Sequence, residues 1–283
     1  MDWNSFFLTL AAILPAAILG IYVFKKDKAE KEPLTLLLQL FCLGAAVCLP
    51  AAYIEHFVIA GIDALFEPFV FVGNGTQSME AGALFLYKII YFFVGIAFVE
   101  EGLKWITMTR VTFKSRDFNS LFDGMIYAVF VSLGFAALEN IFYVLSYGWG
   151  NALMRAILSV PGHMFFAVIM GYYYSWWHIR EKARQWEEAL REEGRILVRK
   201  PFSVRKSKAM SLLMPTLAHG IYNFCCSSDS VWYQITFYVF ILFLYLHCFG
   251  RIRRMSRADA PSGAYACVLI KRKYPALSER GEA

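Results

Sequence analysis

Apolar runs long enough to cross a lipid bilayer dominate this sequence, and they restrict what the chain can fold into. Of the 283 residues, 58% are hydrophobic and only 18% are charged, which is more apolar and less charged than a soluble domain. The apolar residues form blocks of roughly 18 to 25, the length of helix that crosses about 30 Å of hydrocarbon. The composition therefore predicts an all-α fold, a polytopic membrane helix bundle.

We predict about seven transmembrane helices in this bundle. They cover residues 5–24, 34–53, 87–108, 121–145, 153–177, 210–226 and 231–249. With its connections the bundle occupies residues 1–255, including a cytoplasmic helical loop at 178–208. Residues 256–283 contain Pro261, Gly263 and Pro275, and we expect a loosely ordered cytoplasmic tail there.

Lysine and arginine are concentrated in alternate connections, at 25–33, 110–116, 178–208 and after residue 250. Basic loops face the cytoplasm, so a multi-pass protein of the cell membrane with an external N-terminus and a cytoplasmic C-terminus is predicted. The external segment 54–86 either lies on the membrane surface or re-enters the membrane. The net charge of +6 is then a topology signal that also meets anionic lipid headgroups. Membrane lipids are expected as partners, and nucleic acid is not.

Ionisable and amide side chains interrupt four of the predicted spans. They are Glu100, Glu101, Glu139, Asn140, His163, His219 and Asn223. An ionisable group in hydrocarbon costs about 3 kcal/mol or more, so a chain that keeps three carboxylates and two imidazoles there is expected to use them. The alternative is structural: a carboxylate pair at a wet interface, an interhelical hydrogen bond, and two packed histidines. Their number favours a polar site between helices.

The spacing of these residues indicates which of them can meet. Lys104 follows Glu100 by four residues and Glu101 by three, so its ammonium can reach either carboxylate. His219 and Asn223 are one turn apart and share a helix face.

Small residues allow two of the predicted helices to approach each other closely. Gly134, with small residues after it, leaves room for a neighbouring helix to come close. With the predicted span limits, however, Glu100 lies about 12 Å and Glu139 about 27 Å from the cytoplasmic ends of their helices. A shared site therefore requires tilted, broken or shifted helices.

The motifs Glu100-Glu101-x-x-Lys104 and Gly134-Phe135-Ala136-x-x-Glu139-Asn140, with His163 and His219 in later spans, resemble the PrsW family of glutamate-dependent intramembrane proteases. That family is related to the CAAX-processing and bacteriocin-immunity membrane protease group. The resemblance covers about residues 80–230, the expected protease core, and together the four elements are fairly specific.

The resemblance implies hydrolysis of a peptide bond in or next to the membrane-spanning part of a single-span protein. The family's named member makes the first cut in an anti-sigma factor, so such a factor is one expected partner. Carried over to this chain, the catalytic residues would be Glu100, Glu101, Glu139, His163 and His219. Lys104, Asn140 and Asn223 would support the site.

Two mechanisms fit these residues. In one, no metal is needed: a glutamate deprotonates water, and an imidazole or amide stabilises the oxyanion. In the other, His163, His219 and Glu139 hold a zinc-like divalent metal. The lack of two histidines at the spacing of a zinc helix slightly favours the metal-free mechanism.

A non-enzymatic membrane protein is the competing hypothesis. Buried carboxylates and histidines also build proton or cation relays, so a transporter or a partner-binding scaffold would use the same groups. No repeat relates two halves of the sequence, whereas many transporters have one. This observation weighs against a transporter.

Overall fold

The computed structural model describes residues 3–73, 76–228 and 230–279, and helices dominate this part of the chain. The helices are α1 (Trp3–Lys26), α2 (Leu34–Phe66), α3 (Ala81–Ile90), α4 (Val99–Thr112), α5 (Asp123–Ile157), α6 (Ser159–Glu192), α7 (Arg205–Cys226), α8 (Val231–Arg257), α9 (Ser262–Lys273) and α10 (Pro275–Glu279). A π-helical segment, Tyr91–Phe98, joins α3 to α4. Strands β1 (Val70–Gly73) and β2 (Thr76–Met79) form an antiparallel hairpin.

Five helical stretches of the described residues are long and apolar enough to cross a membrane. They are Trp3–Lys26, Leu34–Phe69, Ala81–Thr112, Asp123–Glu192 and Val231–Arg257. The fourth stretch contains both α5 and α6, which the sequence predicted as two spans. Helix α7, the predicted sixth span, is not among the five; its first turns carry Arg205, Lys206 and Lys208. An all-α, polytopic membrane bundle is confirmed.

The α5–α6 stretch is the centre of the bundle. Of its most apolar segment 61% is buried, against 17 to 28% for the other four stretches. Helix α5 is interrupted at Gly148, whose φ of 75° lies in the left-handed region that glycine adopts without strain. This break falls between the predicted spans 121–145 and 153–177. Beyond it the chain stays helical to Ile157 and returns towards the bundle.

Helices α2 and α5 cross in close contact at two glycines. A Cβ added to Gly134 would lie 1.9 Å from the carbonyl oxygen of Phe41, and a Cβ added to Gly44 would lie 1.9 Å from that of Val131. No side chain fits in either place, so both positions require glycine. The close approach predicted for Gly134 is confirmed.

The helices on either side of the predicted external segment are longer than the sequence indicated. Helix α2 continues to Phe66, so residues 54–66 are part of a helix, and the hairpin and α3 follow. Helix α4 continues to Thr112. Glu100 is then about 18 Å from the end of α4, and Glu139 is about 24 Å from the start of α5. The axial mismatch falls from about 15 Å to about 6 Å, which side chains can bridge.

The prediction of a loosely ordered tail is wrong for residues 262–279, which form α9 and α10. The prolines do not break these helices, because Pro261 caps α9 and Pro275 opens α10, positions that tolerate proline. The Ser262 backbone N–H donates to the carbonyl oxygen of Asn119 at 2.6 Å. Lys273 binds the carboxylate of Glu187 on α6. These contacts fix α9 against the rest of the fold.

The first part of the predicted 178–208 loop is helical. Helix α6 runs on to Glu192, and ion pairs three residues apart join Arg184 to Glu181 and Arg191 to Glu188 on its surface. We call the end of the bundle formed by the C-terminal part of α6, the start of α7 and α9 the basic end.

Candidate active site

The two adjacent glutamates of the sequence lie in the first turn of α4, directly after the π-helical segment. Glu101 is fully buried and Glu100 is only 6% exposed. Lys104, also buried, donates to Glu100 Oε2 at 2.9 Å and to Glu101 Oε1 at 2.8 Å. The lysine therefore reaches both carboxylates, as its spacing predicted. π-Helical segments commonly occur at functional sites.

Helices α6 and α7 bring the two histidines to these carboxylates. His219 Nδ1 lies 3.1 Å from Glu101 Oε1, and His163 Nδ1 lies 3.1 Å from Lys104 Nζ. The two rings are 5.4 Å apart between centroids, and Phe166 stacks on His219. Groups from three helices thus converge on one place.

The hydrogen bonds also fix the neutral tautomers of both imidazoles. An ammonium only donates, so His163 Nδ1 accepts from Lys104 and its Nε2–H donates to Glu139 Oε2, 2.9 Å away. An ionised carboxylate only accepts, so His219 donates from Nδ1 to Glu101. The lone pair of His219 is then on Nε2, where it can take a proton or bind a metal.

Glu139 has a second partner that the sequence analysis did not identify. Arg155, from the helical segment after the Gly148 break, places a guanidinium nitrogen 2.8 Å from Glu139 Oε2. Its Nε donates to Asn140 Oδ1 at 2.9 Å. The signal was available, since Arg155 is a charged residue inside the predicted span 153–177.

Asn140 joins α1 to Arg155. Its amide donates to the backbone oxygen of Ala12 on α1 at 2.9 Å while its oxygen accepts from Arg155. Asn140 therefore holds Arg155, and through it the Glu139 carboxylate. Asn140 is not among the residues that line the neighbouring cavity.

A cavity of about 620 Å³ opens beside these residues. Its polar lining is formed by Glu55, Glu100, Glu139, Arg155, Ser159, His163, His219, Asn223 and Ser227, among apolar side chains from α2 to α8. Glu101 and Lys104 lie behind this wall. Asn223 is placed next to His219 on the cavity side, as their spacing predicted.

Glu55 is the second cavity residue that the sequence analysis missed as a site residue. Its Oε1 is buried and has no hydrogen-bond partner among the described residues, although the carboxylate faces the same cavity as Glu100 and Glu139. The reason for the omission is the predicted end of the second span at residue 53. With the true end at Phe66, Glu55 is a carboxylate inside a membrane helix.

Three of the described residues are close enough together to bind one cation. Glu100, Glu101 and His219 each offer a ligand atom within 4.8 Å of the others, and Glu101 Oε2 is buried without a hydrogen-bond partner. Of the predicted metal set of His163, His219 and Glu139, only His219 belongs to this group. His163 instead faces Lys104 and Glu139.

The charges around the cavity also favour a bound cation. Four carboxylates and two cations lie in its wall or directly behind it: Glu55, Glu100, Glu101, Glu139, Lys104 and Arg155. With all four carboxylates ionised and both imidazoles neutral, the net charge would be −2. Buried charge of this size needs compensation, which a divalent cation or bound protons can supply.

Fold and site together define the class: a polytopic helical membrane protein with a buried glutamate–histidine–lysine site at a polar cavity. The sequence matches the PrsW family, described as "PrsW family intramembrane metalloprotease", over residues 32–248. The chain belongs to this family, and it is an intramembrane protease.

Curated relatives agree with this assignment. The chain is 29% identical over 244 residues to "Protease PrsW" of Oceanobacillus iheyensis, covering 86% of this chain and 94% of that protein. It is 30% identical over 242 residues to "Protease PrsW" of Bacillus subtilis, covering 83% and 91%. The protein of the same name from Clostridioides difficile is 30% identical over 243 residues, covering 84% and 87%. No solved structure matches the chain.

Proposed function

We propose that the chain is a glutamate-dependent protease that hydrolyses a peptide bond in or next to the membrane-spanning part of a single-span protein. The observation that carries this proposal is Glu100, which faces the cavity while Lys104 holds its Oε2 at 2.9 Å. A carboxylate fixed in this way can take a proton from a water in the cavity. The water then attacks the scissile carbonyl.

The neighbouring residues have complementary roles. Glu101 orients His219 through Nδ1 at 3.1 Å, as a carboxylate orients the imidazole of a hydrolase triad. The Asn223 amide supplies a donor for the oxyanion. Glu100 returns its proton to the leaving amine, so protons balance over the cycle. Glu139 and Arg155 keep His163 oriented.

We further propose that Glu100, Glu101 and His219 hold a divalent cation. The unpartnered Oε2 of Glu101 and the net charge of the cavity support this. When bound, the cation would act as a Lewis acid on the scissile carbonyl. Lys104 bonds both carboxylates, so it would have to shift or share them.

The substrate and the orientation belong to this proposal. A cavity lined by apolar residues from several helices suits an unwound segment of a membrane-spanning helix. An anti-sigma factor with one span is the expected natural substrate. The basic loops support an external N-terminus and a cytoplasmic C-terminus.

The test is cleavage of a labelled single-span peptide by the purified chain in detergent. Glu100→Gln is expected to lower the rate about 10² to 10⁴-fold, the usual contribution of a general base, in a variant that still folds with a cooperative melting transition. Glu188→Gln, on the exposed surface of α6, is the matched control and keeps full activity. Peptide that binds but stays uncut with the unaltered chain would favour the scaffold hypothesis instead.

Metal analysis of the same preparations tests the cation. We expect about one divalent metal per chain, and little in His219→Gln. A metal-free preparation that cleaves at full rate in a chelator would reject the cation and leave the metal-free mechanism.

A further inference from the structure

A second cavity, of about 650 Å³, lies at the basic end of the bundle, between α6, α7 and α9. Three cationic side chains line it, one from each helix: Arg180, Lys206 and Arg272. None of its lining residues is acidic. It is separated from the candidate active site, because Arg180 is 17 residues beyond His163 on α6, or about 25 Å along the helix.

No described residue neutralises the three cations of this cavity. Elsewhere at the basic end, Arg184, Arg191 and Lys273 each pair with a glutamate. Within the described residues, neither an ion pair nor a hydrogen bond engages the side chains of Arg180, Lys206 or Arg272. Three uncompensated positive charges around one concave space attract an anion.

The remaining lining residues indicate that the anion is amphiphilic. Tyr172, Tyr173 and Trp176 line the cavity on the α6 side, with Met210 and Leu269 on the other helices. Tyrosine and tryptophan concentrate at the level of lipid headgroups. Ser203 and Ser207 add hydroxyl groups that suit phosphate oxygens. Charged, hydroxyl and apolar surfaces thus meet in one cavity.

We propose that this cavity binds the phosphate-bearing headgroup of an anionic phospholipid, with its glycerol and upper acyl region against the aromatic side chains. Basic pockets between membrane helices are suited to such headgroups. The shared chemistry is a phosphate ester, which a free phosphate would also offer. The aromatic and apolar part of the lining favours the lipid, because inorganic phosphate gains nothing from it.

The occupant would bridge the helices that carry the two histidines of the active site. Arg180 is on the same helix as His163, and Lys206 is on the same helix as His219. Binding between them holds α6 and α7 together at the basic end. We therefore expect the lipid to raise the melting temperature of the whole chain, independently of any cleavage.

The experiment titrates the full chain, in a neutral maltoside detergent, with dioleoylphosphatidylglycerol, dioleoylphosphatidylcholine or inorganic phosphate. Binding is read by native mass spectrometry and by the melting temperature. Each lysine or arginine near an anionic headgroup is worth about a fivefold change in affinity. Arg180→Gln, Lys206→Gln or Arg272→Gln should each weaken binding of dioleoylphosphatidylglycerol about fivefold. The triple variant with all three changes, which we call the cavity variant, should weaken it about 10²-fold.

The matched control is the triple variant Arg199→Gln, Arg205→Gln and Arg253→Gln. It removes the same charge from exposed positions outside the cavity lining. It should weaken binding only about twofold, by long-range attraction that salt screens. Unchanged melting of both triple variants without lipid shows that they are folded.

Two results would overturn the proposal. If both triple variants lose lipid binding equally, the lipid is attracted by the overall positive charge of the basic end and not by a defined site. If inorganic phosphate binds as tightly as the lipid, and only the cavity variant loses this binding, the cavity is a site for a soluble anion. Binding of phosphatidylglycerol over phosphatidylcholine that only the cavity variant abolishes supports the lipid site.

Discussion

Replacement of Lys104 by methionine removes the one cation that bonds both glutamates of α4. Methionine matches the four-atom stem of lysine but lacks the terminal ammonium, so the packing of the stem is nearly conserved. Lys104 is 1% exposed and lies 2.9 and 2.8 Å from the two carboxylates. Removal of one partner of a buried ion pair costs about 3 to 5 kcal/mol. Because two carboxylates lose their partner here, we expect the upper end of this range.

Two smaller contacts of the ammonium are also lost. His163 Nδ1 loses a donor at 3.1 Å, worth about 1 kcal/mol, and the cation over the Phe135 ring at 4.0 Å contributes about 1 kcal/mol. The variant Lys104→Met with Glu100→Gln removes one of the unpaired charges as well. It should recover about 2 kcal/mol relative to Lys104→Met alone.

The measurement is equilibrium unfolding of the purified variants in detergent. A chelator is present throughout, so that no divalent cation replaces the ammonium. A loss below about 1 kcal/mol for Lys104→Met, or no recovery in the double variant, would refute the view that this lysine is the counter-charge of the site.

Three further predictions concern other parts of the chain. Burial raises the pKa of Glu32, between α1 and α2, to about 8 from 4.5. The folded state therefore binds the proton more tightly than the unfolded state, and stability falls as pH rises from about 4.5 to 8. In Glu32→Gln, the melting temperature should depend less on pH over this range. Glu55→Gln replaces a buried carboxyl whose Oε1 has no described hydrogen-bond partner, so stability should change by less than about 1 kcal/mol, while peptide cleavage should fall about tenfold because the carboxyl faces the cavity; a large loss of stability with normal cleavage would contradict this. Gly44→Ala should cost about 3 kcal/mol through the clash with α5, whereas Gly61→Ala in the same helix, which meets nothing within 4 Å, should stabilise slightly; similar melting temperatures for the two would be the contrary result.

Much of the site could be predicted from local spacing. The reach of Lys104 to Glu100 and Glu101 depends only on the geometry of one helix turn. The need for a small residue at Gly134 depends on a single close helix contact. Such features do not depend on where the ends of the helices are predicted, so they can be predicted from the sequence alone.

Long-range features could not be predicted in the same way. Glu55 was placed in the external segment 54–86 because the second span was predicted to end at residue 53, whereas α2 continues to Phe66. Arg155 meets Glu139 only because of the break at Gly148, and no sequence spacing reveals that contact. The ordered α9 depends on tertiary contacts to Asn119 and Glu187. Each of these depends on partners distant in the sequence.

The central claim is that carboxylate and imidazole groups of different helices act as one hydrolytic unit, and Glu101 with His219 tests it most directly. Their side chains meet at 3.1 Å from α4 and α7. Peptide cleavage by Glu101→Gln, His219→Gln and the double variant, each checked for folding, gives a double-mutant cycle. Residues that work as a unit are strongly non-additive, so the double variant should be no slower than the slower single variant. Losses that multiply would show that the two groups act separately, and would contradict the account.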